Sequence, residues 1–197
     1  VVAGTAHLPE PGADGAVQAA SAPGHVLVAY STVDGHTRKI CERLQQSIEA
    51  AGHRVTLLEM RDAHPLDLTS FDKIVIGASI RYGHHRPFVR EFIDAHLQAL
   101  ATRPSAFFSV NIVARKPGKN QPDTNPYLRK FLGQIRWRPR ATEVFAGKLD
   151  YPRYRFIDRQ MIRFIMLVTG GPTDPATVAE FTDWQRVEAF ARRVAAM

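Results

Sequence analysis

At 197 residues with 45% apolar side chains, the chain can bury one good core, and its single cysteine, Cys41, excludes an internal disulfide and any cysteine-based zinc site. The formal charge of +7 is unevenly spread: residues 115–163 hold thirteen Lys and Arg against four Asp and Glu, while the rest of the chain is slightly acidic. Such a patch suits nucleic acid, anionic lipid or an acidic small molecule, and no apolar run reaches the roughly 18–20 residues that a bilayer-spanning helix needs.

Residues 1–23 are rich in Ala, Gly and Pro and show no period, so they read as a loose leader before one domain at 24–197. From His25 onward short apolar runs alternate with helical stretches. "HVLVAYS" (25–31), "RVTLLEM" (54–60), "KIVIGAS" (73–79), "SAFFSVNIV" (105–113) and "EVFAGKL" (143–149) are five strand candidates, several continuously apolar as strands covered on both faces should be. Helices are expected at 37–51 with Gly52 closing it, at 87–100 opening on Pro87, at about 125–135, and finally over "TDWQRVEAFARRVAA". That last stretch has a Thr or Asp cap and a stripe of Trp184, Val187, Phe190, Ala191 and Val194. The gap at 61–71 is too short for a good helix. The pattern is that of an α/β fold with a parallel sheet wrapped by helices.

The segment 151–180 departs from this alternation. In "YPRYRFIDRQMIRFIMLVTGG", Arg155, Arg159 and Arg163 fall on one helical face and Ile157, Met161, Phe164, Ile165 and Val168 on the opposite side. A basic amphipathic helix at about 154–168 results, too short to cross a membrane yet able to lie on one; an ordinary helix docked on the domain has the same pattern.

Two loops carry the chemistry. "AYSTVDGHTRKI" (29–40) is a strand, a hydroxyl-rich turn and a helix start, without the lysine of a triphosphate loop or the glycine pattern of a dinucleotide loop. Hydroxyls and N–H groups at a helix N-terminus hold a terminal phosphate without a cation; Thr37 also fits a simple cap. The loop "GASIRYGHHRP" brings Tyr82 and Gly83 to the carboxyl edge of the sheet, where open parallel sheets bind ligands. A flat ring with a phosphate tail fits between the two loops.

Here the chain resembles the flavodoxin family, whose phosphate loop matches "VAYSTVDGHT", with Thr32, Gly35 and Thr37 on the family's hydroxyl, small-residue and threonine positions. Ala29 and Cys41 depart from it, standing where a larger apolar residue and an alanine are usual. Further on, "IGASIRYGHHRPFVREF", "PSAFFSVNIVARKP", "NPYLRKFL", "QIRWRP" and "YPRYRFIDRQMIRFIM" are similar to the menaquinone-dependent protoporphyrinogen IX dehydrogenases of bacterial haem biosynthesis, over about residues 25–195. The resemblance implies a flavodoxin-like, doubly wound five-stranded parallel sheet of order 2-1-3-4-5 with a basic helical insertion after strand five, at about 151–180. It also implies FMN and oxidation of protoporphyrinogen IX to protoporphyrin IX by six electrons in three flavin cycles. Menaquinone or ubiquinone is the implied acceptor, at the cytoplasmic face of the inner membrane, with the basic helix on the membrane surface.

On this reading Ser31, Thr32, Val33, Asp34, Gly35, His36 and Thr37 hold the phosphate, the Asp34 side chain turning away from it. Ala78, Ser79, Ile80, Arg81, Tyr82 and Gly83 flank the flavin ring, and Asn111, Ile112, Val113, Ala114 and Arg115 form a third wall. Arg81, Arg115, Lys116, Arg153 and Arg155 are candidates for the two substrate propionates, which guanidinium groups grip in pairs. No general base and no metal site is assigned; His84 and His85 read as loop residues. Three alternatives remain: a flavodoxin-type electron carrier, an NAD(P)H-dependent flavin quinone reductase, and a nucleic-acid module using Tyr127, Phe131, Trp137, Tyr151, Tyr154 and Phe156. The aromatic spacing suits packing better than stacking on bases, so nucleic acid is not expected as a partner.

Overall fold

The computed structural model describes residues 22–62 and 66–197, so most of the leader reading lies outside the described residues. Five parallel strands form the central sheet: β1 (His25–Ser31), β2 (Arg54–Glu59), β3 (Lys73–Ser79), β4 (Ser105–Asn111) and β5 (Ala141–Ala146). Their order is β2-β1-β3-β4-β5, the doubly wound order expected. Helices α1 (His36–Ala50) and α6 (Trp184–Ala195) cover one face; α2 (Pro87–Ala95), α3 (Leu97–Thr102) and α4 (Pro126–Gln134) cover the other.

Alternation along the strands sends side chains to two cores. Val26, Val28, Val75, Phe108 and Phe145 pack with Ile40, Leu44, Ile48, Phe190 and Val194, while Leu27, Ile74, Ile76 and Phe107 pack with Val89, Ile93, Leu128 and Trp137. Both faces of the sheet are therefore apolar, which is why the strand sequences run apolar without a break. At Gly77 a Cβ would overlap the Phe108 ring of the neighbouring strand, so only glycine lets that ring cross.

Several boundaries differ from the sequence reading, each for a local reason. The helix expected over 87–100 divides at His96, which leaves helical geometry while its Nδ1 donates to the Phe92 carbonyl at 2.8 Å. Strand four stops at Asn111 rather than 113 because the Asn111 side chain accepts from Ala114 N at 3.0 Å and starts a single 3₁₀ turn, Ile112–Arg115. The run 143–149 is not one strand. β5 ends at Ala146, opposite Asn111 where β4 ends, and after Gly147 the chain forms β6 (Lys148–Asp150), antiparallel to β7 (Val178–Glu180).

Between β6 and β7 runs the insertion, with helix α5 over Phe156–Val168. Tyr154 and Arg155 precede it in extended backbone, so the helix begins later than expected. Its inner side is anchored by a small third core of Leu149, Tyr151, Tyr154 and Met166. Of the apolar stripe read from the sequence, Ile157, Met161, Phe164 and Val168 face outward and are exposed, joined by Phe156 and Leu167, whereas Ile165 turns inward to the cavity. Arg159 and Arg163 are the half-buried ones, and Arg163 donates to the Thr173 carbonyl at 2.8 Å.

Candidate functional site

A cavity of about 520 Å³ opens at the carboxyl edge of the sheet, beside β1 and β3, where the strand order reverses. Its walls are the loop after β1, the loop after β3, the start of the 3₁₀ turn after β4, the β6 segment and the inner side of α5.

The loop after β1 presents donors of the kind an anion takes. Gly35 takes φ +81° and N-caps α1 without a side-chain cap, while Thr32 Oγ1 accepts from Gly35 N at 3.0 Å to close the turn. Thr37 is therefore not the cap. Helix geometry leaves the first-turn N–H groups without intrahelical acceptors, and the buried hydroxyls Ser31 Oγ and Thr37 Oγ1 also lack a hydrogen-bond partner. Buried polar atoms are rarely left so; a phosphate at this point would satisfy Thr37, which borders the cavity. His36 turns away, donating from Nε2 to Thr182 Oγ1 at 2.6 Å, while that hydroxyl donates to the Ala146 carbonyl. Burial pushes the His36 pKa below its usual value, which keeps the imidazole neutral.

Arg81 joins the loops. One guanidinium nitrogen pairs with Asp34 at 2.9 Å and the other with Asp158 of α5 at 2.8 Å. The Asp34 carboxylate is thus paired with a cation. Tyr82 and Gly83 occupy a two-residue turn closed by Arg81 N to His84 O at 2.9 Å, and the Tyr82 hydroxyl donates to Asp158. In the third wall, Asn111 and Asn125 exchange side-chain hydrogen bonds at 3.3 and 3.4 Å, so the polar atoms below the cavity are satisfied internally.

Of the predicted cofactor residues, Thr32–Thr37, Ser79–Gly83 and Asn111–Val113 border the cavity. Ser31 is buried and stands outside the lining, and Ala78 and Ala114 are core residues. Of the five predicted substrate cations, Arg81 and Arg153 border it. Arg115 does not: its guanidinium donates to the Ile112 and Thr169 carbonyls and to Thr169 Oγ1, strapping the end of α5 to the 3₁₀ turn. Lys116 and Arg155 also stand outside the lining.

The sequence reading missed Tyr127, Lys148, Leu149, Asp150, Tyr154, Ile162 and Ile165. Lys148 pairs with Asp150 at 2.9 Å, and the buried Tyr154 hydroxyl accepts from Asp150 N and donates to the Lys148 carbonyl. Burial raises the Tyr154 pKa, so the phenol stays protonated at neutral pH. The "GKLD" stretch after β5 carried a signal, since glycine at the end of a strand marks a departure from the sheet.

A family model described as a flavodoxin domain matches residues 27–176. The chain is 45% identical over 169 residues to protoporphyrinogen IX dehydrogenase (quinone) of Escherichia coli (strain K12), covering 86% of this chain and 93% of that protein. A protein of the same name from Leishmania major is 45% identical over 172 residues, covering 87% of this chain and 74% of that one. Among solved structures, oxidised flavodoxin 1 from Bacillus cereus superposes with a TM-score of 0.51 at 13% identity, covering 86% of this chain and 96% of that one.

Proposed function

The chain belongs to the flavodoxin family, and from that premise we propose that it is an FMN-dependent dehydrogenase that oxidises protoporphyrinogen IX to protoporphyrin IX with a membrane quinone as acceptor. The observation that carries the quinone part is the two-sided use of α5. Ile162 and Ile165 line the cavity, while Phe156, Ile157, Met161, Phe164, Leu167 and Val168 stand exposed within about 140° of the same helix, at 100° per residue. One helix therefore separates the flavin crevice from a bare apolar surface. Soluble proteins seldom present such a patch without a partner.

The occupant we assign to that surface is a lipid bilayer with anionic headgroups, at the cytoplasmic face of the inner membrane. Arg155, exposed at the start of α5, complements anionic headgroups, as in helices that lie in the interface plane, while Arg159 and Arg163 sit half-buried toward the domain. Among the described residues no helix is long and apolar enough to cross a membrane. An apolar quinone dissolved in the bilayer would reach the crevice along the edge of α5.

The unpaired Thr37 hydroxyl and the uncapped start of α1 support FMN, whose terminal phosphate is the group they fit. When bound, flavin would supply two-electron redox chemistry, so removal of six electrons from the porphyrinogen would consume three quinones and yield three quinols. The protein's part is placement. The 79–83 loop and the 111–113 wall flank the ring, Arg153 supplies a cationic head at the lining for a propionate, and Leu149, Ile162 and Ile165 keep the crevice apolar.

The test is anaerobic: FMN-loaded protein is mixed with protoporphyrinogen IX and a menaquinone analogue, and porphyrin fluorescence is followed against a protein-free control. Quinone-dependent porphyrin formation above the control is expected. A control-level rate with flavin bound would refute the dehydrogenase, and rapid flavin bleaching by NADH or NADPH would then identify a quinone reductase.

A further inference from the structure

Asp158 stands in the first turn of α5, yet its carboxylate caps no N–H of its own helix. Both oxygens reach across the cavity mouth instead. Oδ2 accepts from Arg81 Nη2 at 2.8 Å and Oδ1 accepts from the Tyr82 hydroxyl, contacts that join residues 77 and 76 positions apart in the chain. The Arg81 and Asp158 side chains are only 16% and 17% exposed, so this pair is shielded, unlike ordinary surface ion pairs.

Tyr82 is also, among the described residues, the only non-glycine with a left-handed φ, at 51°. With Gly83 at φ 79° it forms the centre of a mirror-image two-residue turn, a position that glycine or asparagine fills at far less cost than tyrosine. Such a conformation persists only where its surroundings over-determine it. Here they do: the phenol is fixed on Asp158, the ring lies 5.7 Å from the Arg81 guanidinium, and Arg81 N and His84 O close the turn. The second arm of Arg81, on Asp34, extends the network to the phosphate loop.

We propose that Asp158 is a positioning residue. It clamps α5 and the 81–84 turn at one spacing across the cavity mouth, so that a single carboxylate sets both the backbone flanking the ring and the placement of Ile162 and Ile165. Its effect on flavin rests on the FMN reading above; the clamp itself does not.

The experiment uses the full chain with Asp158→Ala, Asp158→Asn, Tyr82→Phe and the double variant Asp158→Ala/Tyr82→Phe. Two readouts are taken: the rate of tryptic cleavage after Arg159 and Arg163 in flavin-free protein, and the Kd for FMN by quenching of flavin fluorescence. Asp158→Ala should raise cleavage and the FMN Kd by about tenfold or more each, the loss expected for a charge-assisted contact, with the Tm of the sheet domain nearly unchanged. Asp158→Asn, which keeps the acceptor for Tyr82 but not the charge for Arg81, should fall between parent and Asp158→Ala. The double variant should be no worse than Asp158→Ala alone, because both changes break the same bond.

Cleavage within twofold of parent in Asp158→Ala, or full additivity in the double variant, would overturn the clamp. If Asp158→Ala lowers the global Tm, Asp158→Asn and Tyr82→Phe decide by the same measures. Should the parent bind no FMN, the flavin reading falls while the cleavage rates still decide the clamp.

Discussion

Replacing Thr37 by valine should strengthen the protein without flavin and weaken it with flavin, and the opposite signs make the test sharp. Thr37 is 1% exposed and its hydroxyl has no partner. An unsatisfied buried hydroxyl costs about 1–3 kcal/mol, so an isosteric methyl in its place should stabilise the flavin-free protein by about 1 kcal/mol. The helix propensities of Thr and Val are nearly equal and do not blur the comparison. Against a phosphate dianion the same hydroxyl makes a charge-assisted bond worth about 1.5–3 kcal/mol. At about 1.4 kcal/mol per factor of ten, the Kd for FMN should rise roughly 10- to 100-fold. Urea unfolding of the flavin-free protein and fluorescence titration with FMN measure the two effects, with riboflavin as the control, since a ligand without phosphate should bind both proteins alike. A Thr37→Val protein that is less stable without flavin and binds FMN within threefold of parent would refute the phosphate assignment.

Three further outcomes follow from other parts of the molecule. Ile157→Asp and Phe164→Asp change side chains that are 75% and 64% exposed, so stability should move by less than about 0.5 kcal/mol while cosedimentation with anionic vesicles falls sharply; unchanged cosedimentation would sink the docking face. Gly77→Ala forces a methyl into the Phe108 ring and should cost about 1–3 kcal/mol in urea unfolding, a near-zero cost showing that the ring can move aside. His85, packed between Phe107 and Phe131, has its pKa lowered from 6.5 to about 3 by burial. The unfolded chain then takes up a proton below about pH 6.5 that the folded protein refuses until about pH 3, so stability falls as the pH drops through that window, by up to about 1.4 kcal/mol per pH unit. His85→Gln should flatten the stability profile between pH 6 and pH 4, and an identical slope would show that the imidazole protonates in the folded state.

What the sequence made legible was whatever is local in the chain. The strands at 25–31 and 73–79 stand where their continuous apolar runs placed them, and the hydroxyl turn at 31–37 lies at the helix start that its composition announced. Less legible was anything decided by contacts far along the chain. Spacing alone separated the apolar and arginine stripes of α5, but it could not say which stripe the domain would take; Met166, Ile162 and Asp158 decided that by finding partners in Tyr151, the cavity and Arg81. In the same way, Arg115 and Arg153 look alike as cations near the crevice. Only the position of Thr169 makes one of them a strap and leaves the other at the lining. The end of β5 at Gly147 depends on where β4 stops, and that depends on the Asn111 side chain folding back on Ala114.

The departure at Gly147 has a counterpart where the chain returns. Phe181 N donates to the Gly147 carbonyl at 3.2 Å, and Lys148 faces Glu180 across the β6–β7 ladder, so the insertion leaves and re-enters the sheet domain through one doorway. Because its two ends meet there, the loop-closure cost of anything between them grows only slowly with length, and none of that cost is borne by the five strands. The length of residues 151–177 could therefore change with the sheet left intact, so long as the residues lining the cavity and the Asp158 contacts keep their places. The sheet and the segment between β6 and β7 are in this sense separable in length, although Arg81–Asp158 and Arg115–Thr169 hold them together, and the doorway at Gly147 is the seam between them.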